Sequence, residues 1–66
     1  MNYSLNDKIY FNEIEYGKIL QIKKNEQFCF EEIIFENYIT NKIDSCYNSD
    51  LRYDRNNRLI FYPQGV

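Results

Sequence analysis

Between Gly17 and Glu36 the chain carries its densest apolar pattern, and that pattern limits what it can fold into. Leu20 and Ile22 share one parity, Phe28 and Phe30 share one parity, and a polar break lies between the pairs. In a strand, residues of equal parity point to one face, so the segment reads as two strands joined by a short turn. A two-residue turn at Asn25-Glu26 would set Ile22 against Cys29 and Leu20 against Glu31. A three-residue loop, Lys24-Asn25-Glu26, sets Ile22 against Phe28 and Leu20 against Phe30. A slip of one residue moves an apolar set to the other face, so the sequence predicts the second register and a core of Leu20, Ile22, Phe28 and Phe30. Gly17 permits a kink or a close approach at the start of the segment.

Before it, Met1–Asn6 reads as a lead-in pinned by Tyr3 or Leu5, and Lys8–Phe11 as a short strand. A two-residue turn at Asn12-Glu13 would pair Phe11 with Ile14 and Ile9 with Tyr16; the rival is a bulge in one long strand. After it, Phe35, Tyr38, Ile39, Ile43, Cys46 and Tyr47 recur at helical spacing. No Gly or Pro interrupts them, and Glu31 and Glu32 suit a helix N-terminus. The segment is also rich in strand formers, but periodicity is the stronger signal and predicts a helix from Glu32 to Cys46. Leu51–Tyr62 reads as a hairpin with a loop at Arg55-Asn56-Asn57. That loop sets Tyr53 against Leu59 and Leu51 against Phe61, pairs Asp54 with Arg58, and puts Asn57 in the left-handed region. Pro63 ends the strand, leaving Gln64-Gly65-Val66 as a tail.

The expected fold class is α+β: a small antiparallel sheet of four to five strands, a meander plus a C-terminal hairpin, with one helix at 32–46 covering a face. The alternative is an all-β barrel of SH3 or OB type. Sixty-six residues make one small domain, 1–66, with a single core.

Composition removes whole classes of chemistry. The chain has no His and two Cys, which excludes a Ser-His-Asp triad, a Cys-His pair and His-ligated zinc. Gly17 and Gly65 are isolated, so no glycine loop cradles a phosphate. We therefore expect no enzyme, no cofactor and no metal. Cys29 and Cys46 are too far apart for a CxxC pair. The N-terminal residues have no apolar core of a signal peptide, no run is long enough to span a membrane, and the expected location is the cytoplasm, with two free thiols. The abundance of Asn, Ile, Tyr, Lys and Phe, with no Ala and no Trp, is what AT-rich codons encode and indicates a low-GC bacterium or its phage.

What remains is binding. Arg52, Arg55 and Arg58 are all the arginines of the chain and lie on one predicted hairpin with Tyr53. Arginine forks onto carboxylate and phosphate, and Arg and Tyr are enriched at binding hot spots. These residues are the first-choice partner surface; the other reading is loop solubility plus the Asp54–Arg58 pair. Among the seven tyrosines, Tyr10, Tyr47, Tyr53 and Tyr62 are candidates for a flat amphipathic surface. The second choice is an acidic face of Glu26, Glu31, Glu32 and Glu36, of which Glu32 and Glu36 would share a helix face. Two carboxylates are too few to hold a hard cation.

A net charge of −2 and a pI near 4.9 argue against broad nucleic-acid binding, whose affinity comes from neutralising phosphates. In size, acidity and want of catalytic parts the chain is similar to small phage-encoded proteins that block bacterial defence systems, such as anti-CRISPR proteins. The expected function is therefore a non-catalytic protein that inhibits or modulates a larger bacterial protein, with a nucleic-acid-handling enzyme as one such partner. The alternatives are a small β-barrel that binds single-stranded nucleic acid, and a small regulatory or structural subunit. A second copy of the chain is a further partner open to it.

Overall fold

A computed structural model describes residues 3–63; the tail predicted at Gln64–Val66 and the first two residues of the lead-in lie outside them. Six strands, β1 (Lys8–Phe11), β2 (Ile14–Asn25), β3 (Phe30–Asn37), β4 (Lys42–Tyr47), β5 (Leu51–Tyr53) and β6 (Leu59–Phe61), form one sheet in the order β4-β3-β2-β1-β6-β5. The sheet is a mixed half-barrel: β1 and β6 run parallel and every other neighbouring pair is antiparallel. A 3-10 turn, Asn48–Asp50, links β4 to β5, and Tyr47 N donates to Asp50 Oδ2 across it at 3.0 Å. The α+β expectation is overturned: 59% of the described chain is strand and none is α-helix, which is compatible with the all-β alternative.

The helix predicted over Glu32–Cys46 is instead the hairpin β3–β4. Along β3 the buried residues are Ile33, Phe35 and Asn37, a period of two. Asn37 then reverses the chain: its Oδ1 accepts from Ile39 N at 2.9 Å and Thr40 N at 3.1 Å, its carbonyl accepts from Asn41 N at 2.8 Å, and Asn41 takes a φ of 58°. Asn is suited to both roles. Because the strand propensity of Ile, Phe, Tyr and Thr agreed with a two-sided pairing partner, it outweighed the helical spacing.

The β2–β3 register also differs from the predicted one. Asn25 Oδ1 accepts from Gln27 N and Phe28 N at 3.1 and 3.2 Å, and Cys29 has a φ of 55°, so the turn is Glu26–Cys29. Ile22 pairs with Ile33 and Asn25 with Phe30. Within β2 the ladder slips between Ile19 and Gln21, which makes Leu20 the extra residue of a bulge and reverses the parity beyond it. Ile19 therefore faces the core before the bulge and Ile22 after it. Leu20 and Phe28 are 40% and 63% exposed, so the predicted core of Leu20, Ile22, Phe28 and Phe30 does not form.

The core is Tyr3, Ile9, Ile19, Ile33, Phe35, Cys46, Leu51 and Leu59, with Tyr16, Ile22 and Phe61 packed against it. The Asn12-Glu13 turn forms, with φ of 52° and 66°, and pairs Phe11 with Ile14. A second slip then leaves Tyr16 unpaired, so Ile9 meets Gly17 rather than Tyr16. The missing side chain matters there: a Cβ on Gly17 would collide with Glu36 O and come within 2.8 Å of the Phe35 ring. Tyr3 pins the lead-in by donating to Glu31 Oε1 at 2.7 Å; Leu5 is exposed.

Candidate interaction face

The parallel pairing of β1 with β6 brings together residues from opposite ends of the chain. Ile9 pairs with Leu59 on the core side, which turns the next pair, Tyr10 and Ile60, to the outer face. Arg52 pairs with Ile60 from the other side. Arg58 and Tyr62 lie two positions from Ile60 and share its face. Thus the outer face of β1–β6–β5 carries an aliphatic floor, Ile60, between two arginine–tyrosine pairs. The Arg52 guanidinium lies 3.7 Å above the Tyr62 ring centroid, and that of Arg58 lies 5.2 Å from Tyr10. Stacking of this kind orients a guanidinium and leaves its edge N–H groups for a ligand. The two pairs line an open groove of about 660 Å³ whose rim includes Glu13, from the β1–β2 turn, and Pro63.

The loop holding Arg58 is built by Asp54. Its Oδ1 accepts from Asn56 N at 2.9 Å and Arg58 N at 2.8 Å, and its Oδ2 accepts from Arg58 Nε at 3.0 Å. The Arg58 backbone N–H is the leading reason that the Asp54 carboxyl is held below its ordinary range, with the Arg58 side chain and Asn56 N–H adding to it. Asn57 takes a φ of 59°, and Leu51 and Tyr53 pair with Phe61 and Leu59 in the register the sequence predicts. Nε is one of five guanidinium donors, so Arg58 is anchored without being saturated.

The structure divides the predicted site residues. Arg52 and Arg58 share the outer face, Arg55 is exposed at the loop tip, and Tyr53 has the core-facing parity of Leu51 and Leu59 although its side chain is partly exposed. Ile60 was not singled out by the sequence; the common parity of Arg58, Ile60 and Tyr62 was the available signal. The four carboxylates are dispersed. Glu26 is in the β2–β3 turn, Glu31 accepts the Tyr3 hydroxyl, and Glu32 and Glu36 stand opposite Lys23 and Lys18 in the ladder. Burial, then the Glu31 hydrogen bond, raises the Tyr3 pKa far above its ordinary value.

Among the described residues, no group of three or more His, Cys, Asp or Glu is placed to hold a metal ion. Both cysteines are free thiols: Cys29 is exposed, and burial, with Asp50 and Asp44 adding, pushes the Cys46 thiol up to about 12. No helix among the described residues is long and apolar enough to cross a membrane. No family model, curated protein or solved structure matches the chain.

Proposed function

We propose that this chain is a non-catalytic binding protein that inhibits or modulates a larger bacterial protein in the cytoplasm, and that it engages an acidic patch of that partner through the outer face of β1–β6–β5. The observation that carries this is the Arg52–Tyr62 stack beside the Arg58–Tyr10 pair, with Ile60 between them. Two oriented guanidinium forks over an apolar floor match the Arg and Tyr anchors that dominate protein interfaces. Glu13 and Asp54 share the groove with the arginines, and the chain as a whole carries a charge of −2. A carboxylate-bearing protein surface suits this balance better than a polyphosphate strand, whose binding needs several uncompensated cations. A phage-encoded inhibitor of a host defence system is the setting that the composition suggests.

The test is affinity capture from a low-GC bacterial lysate with wild type and Arg52→Glu side by side, followed by titration of the captured partner. Binding by wild type and loss of at least tenfold in affinity with Arg52→Glu support the reading. Equal binding by both, or tight, steeply salt-dependent binding of fluorescent single-stranded DNA or RNA, would count against it.

A further inference from the structure

At the other end of the sheet, β4 is an edge strand of six residues. An edge strand offers alternate N–H and C=O groups to any strand that approaches it. On the outer face beside it, Ile43 is 62% exposed and Tyr47 50%, and Ile39, in the β3–β4 turn, is 63% exposed. The monomer leaves at least half of each of these three side chains uncovered. The charges on the strand alternate about Ile43, with Lys42 before it and Asp44 after it.

We propose that β4 is a homodimer edge, in which two copies pair antiparallel about a twofold axis at Ile43. The strand is complementary to itself about that point. Centred on Ile43, antiparallel pairing sets Lys42 opposite the second copy's Asp44, Asp44 opposite its Lys42, and Ile43 opposite Ile43. The register pairs Lys42–Asp44 of the two copies and covers the exposed Ile43 side chains with each other, while Tyr47, which already meets the Phe30 ring edge-on at 5.2 Å, lies towards the second copy's β3–β4 turn. A centre at Asp44 would oppose two carboxylates, and a centre at Ser45 would set Asp44 against Cys46. Opposite charges directly across an antiparallel pair are favourable and like charges unfavourable. Asp44 Oδ2 already accepts from Asn37 Nδ2 at 3.2 Å, but a carboxylate has room for further donors. A twofold contact closes on itself, so the pairing stops at two copies rather than propagating. It also leaves the two arginine faces at the outer ends of one continuous sheet. This inference uses a different surface from the proposed partner site and does not rest on it.

Two measurements test it. In sedimentation experiments over a range of concentration, wild type should form dimers. Lys42→Asp and Asp44→Lys should each be monomeric, and their equimolar mixture should recover a dimer, because only the mixed pair restores both opposite-charge contacts. The second measurement is cross-linking in a Cys29→Ser background. Ile43→Cys should oxidise rapidly to a covalent dimer. Ser45→Cys should not, since its two copies would lie about 13 Å apart along the strands, beyond disulfide reach. This pair decides the matter even if Asp44→Lys fails to fold. A wild type that stays monomeric to millimolar concentration, a mixture that stays monomeric, or Ser45→Cys cross-linking as fast as Ile43→Cys would overturn the proposal. The first of these results would leave the edge to a foreign strand.

Discussion

The two edges of the sheet meet solvent in different ways. The β5 edge has three residues, puts Arg52 on its outer face, and runs into a loop fixed by four hydrogen bonds between Asp54 and Arg58 or Asn56. The β4 edge has six residues and puts Ile43 and Tyr47 on its outer face. Short, charged edges resist further pairing, and long apolar ones invite it. Both edges hang on one concave core, in which Ile9, Ile19, Ile33 and Phe35 are essentially inaccessible. Burial is thus split by face and by edge: the concave face holds the sheet together, and the two edges keep exposed side chains on the convex face.

Removing the shared core should erase the comparison altogether. Phe35 packs against Tyr16 and Phe61 at centroid distances of 5.8 and 6.4 Å. Phe35→Ala should cost about 3–5 kcal/mol, comparable with the whole stability of a domain this small, about 5 kcal/mol. Thermal or urea melts should show both edges lost together. Gly17→Ala should act in the same direction, since its methyl group meets Glu36 O and the Phe35 ring.

Asn37→Ala should separate the two ends. The buried amide satisfies two N–H groups of the β3–β4 turn and donates to Asp44. Its loss should cost about 1–3 kcal/mol and show first as faster amide exchange across β3–β4, with the β5–β6 hairpin still protected.

The two ends should also answer oppositely to pH. The Cys46 thiol is raised from near 9 to about 12 by burial, so the folded protein prefers it protonated. That contribution is complete below about pH 9 and is lost as pH rises towards 12. The Asp54 carboxyl is depressed by the Arg58 and Asn56 donors. Its contribution is present above the ordinary carboxylate range and is lost as pH falls through the folded pKa. Alkali should therefore loosen the β4 side and acid the Asp54–Arg58 loop, which exchange measured at both extremes would check. At neutral pH a thiol reagent should modify exposed Cys29 rapidly and Cys46 at the rate of unfolding, since thiolate is the reactive form.

The smallest effect on stability belongs to the arginines. Arg55→Glu should change stability by no more than about 0.5 kcal/mol, and Arg52→Glu by about 0.5–1 kcal/mol through loss of its stack on Tyr62. A large drop in melting temperature for either would make the hairpin part of the folding machinery.

What could be read from the sequence was local. The β5–β6 hairpin arises from Asp54, Asn57 and Arg58 within five consecutive residues, and its register, charge pair and left-handed Asn could all be predicted. The β1–β2 turn was legible for the same reason. Bulges at Tyr16 and Leu20 leave no mark in the apolar pattern, yet each reverses the parity of the strand residues beyond it. That hid Ile19 and promoted Leu20. Asn37 reads as a surface residue and lies in the core. The helical spacing of Phe35, Tyr38, Ile39, Ile43, Cys46 and Tyr47 spans a turn, so it mixes two core residues, Phe35 and Cys46, with a half-buried Tyr38 and three exposed side chains. For the candidate site, composition singled out the arginines. The rest of the face needed the parallel β1–β6 pairing, which no neighbouring residues announce.

The division between the two ends is tested most directly by amide chemical-shift mapping while the captured partner is titrated into labelled protein. The largest shifts are expected at Tyr10, Arg52, Arg58, Ile60 and Tyr62, with Ile39, Ile43 and Tyr47 unmoved at fixed protein concentration. Shifts centred on β4, or on Glu26, Glu31, Glu32 and Glu36 with the arginine face silent, would contradict that division.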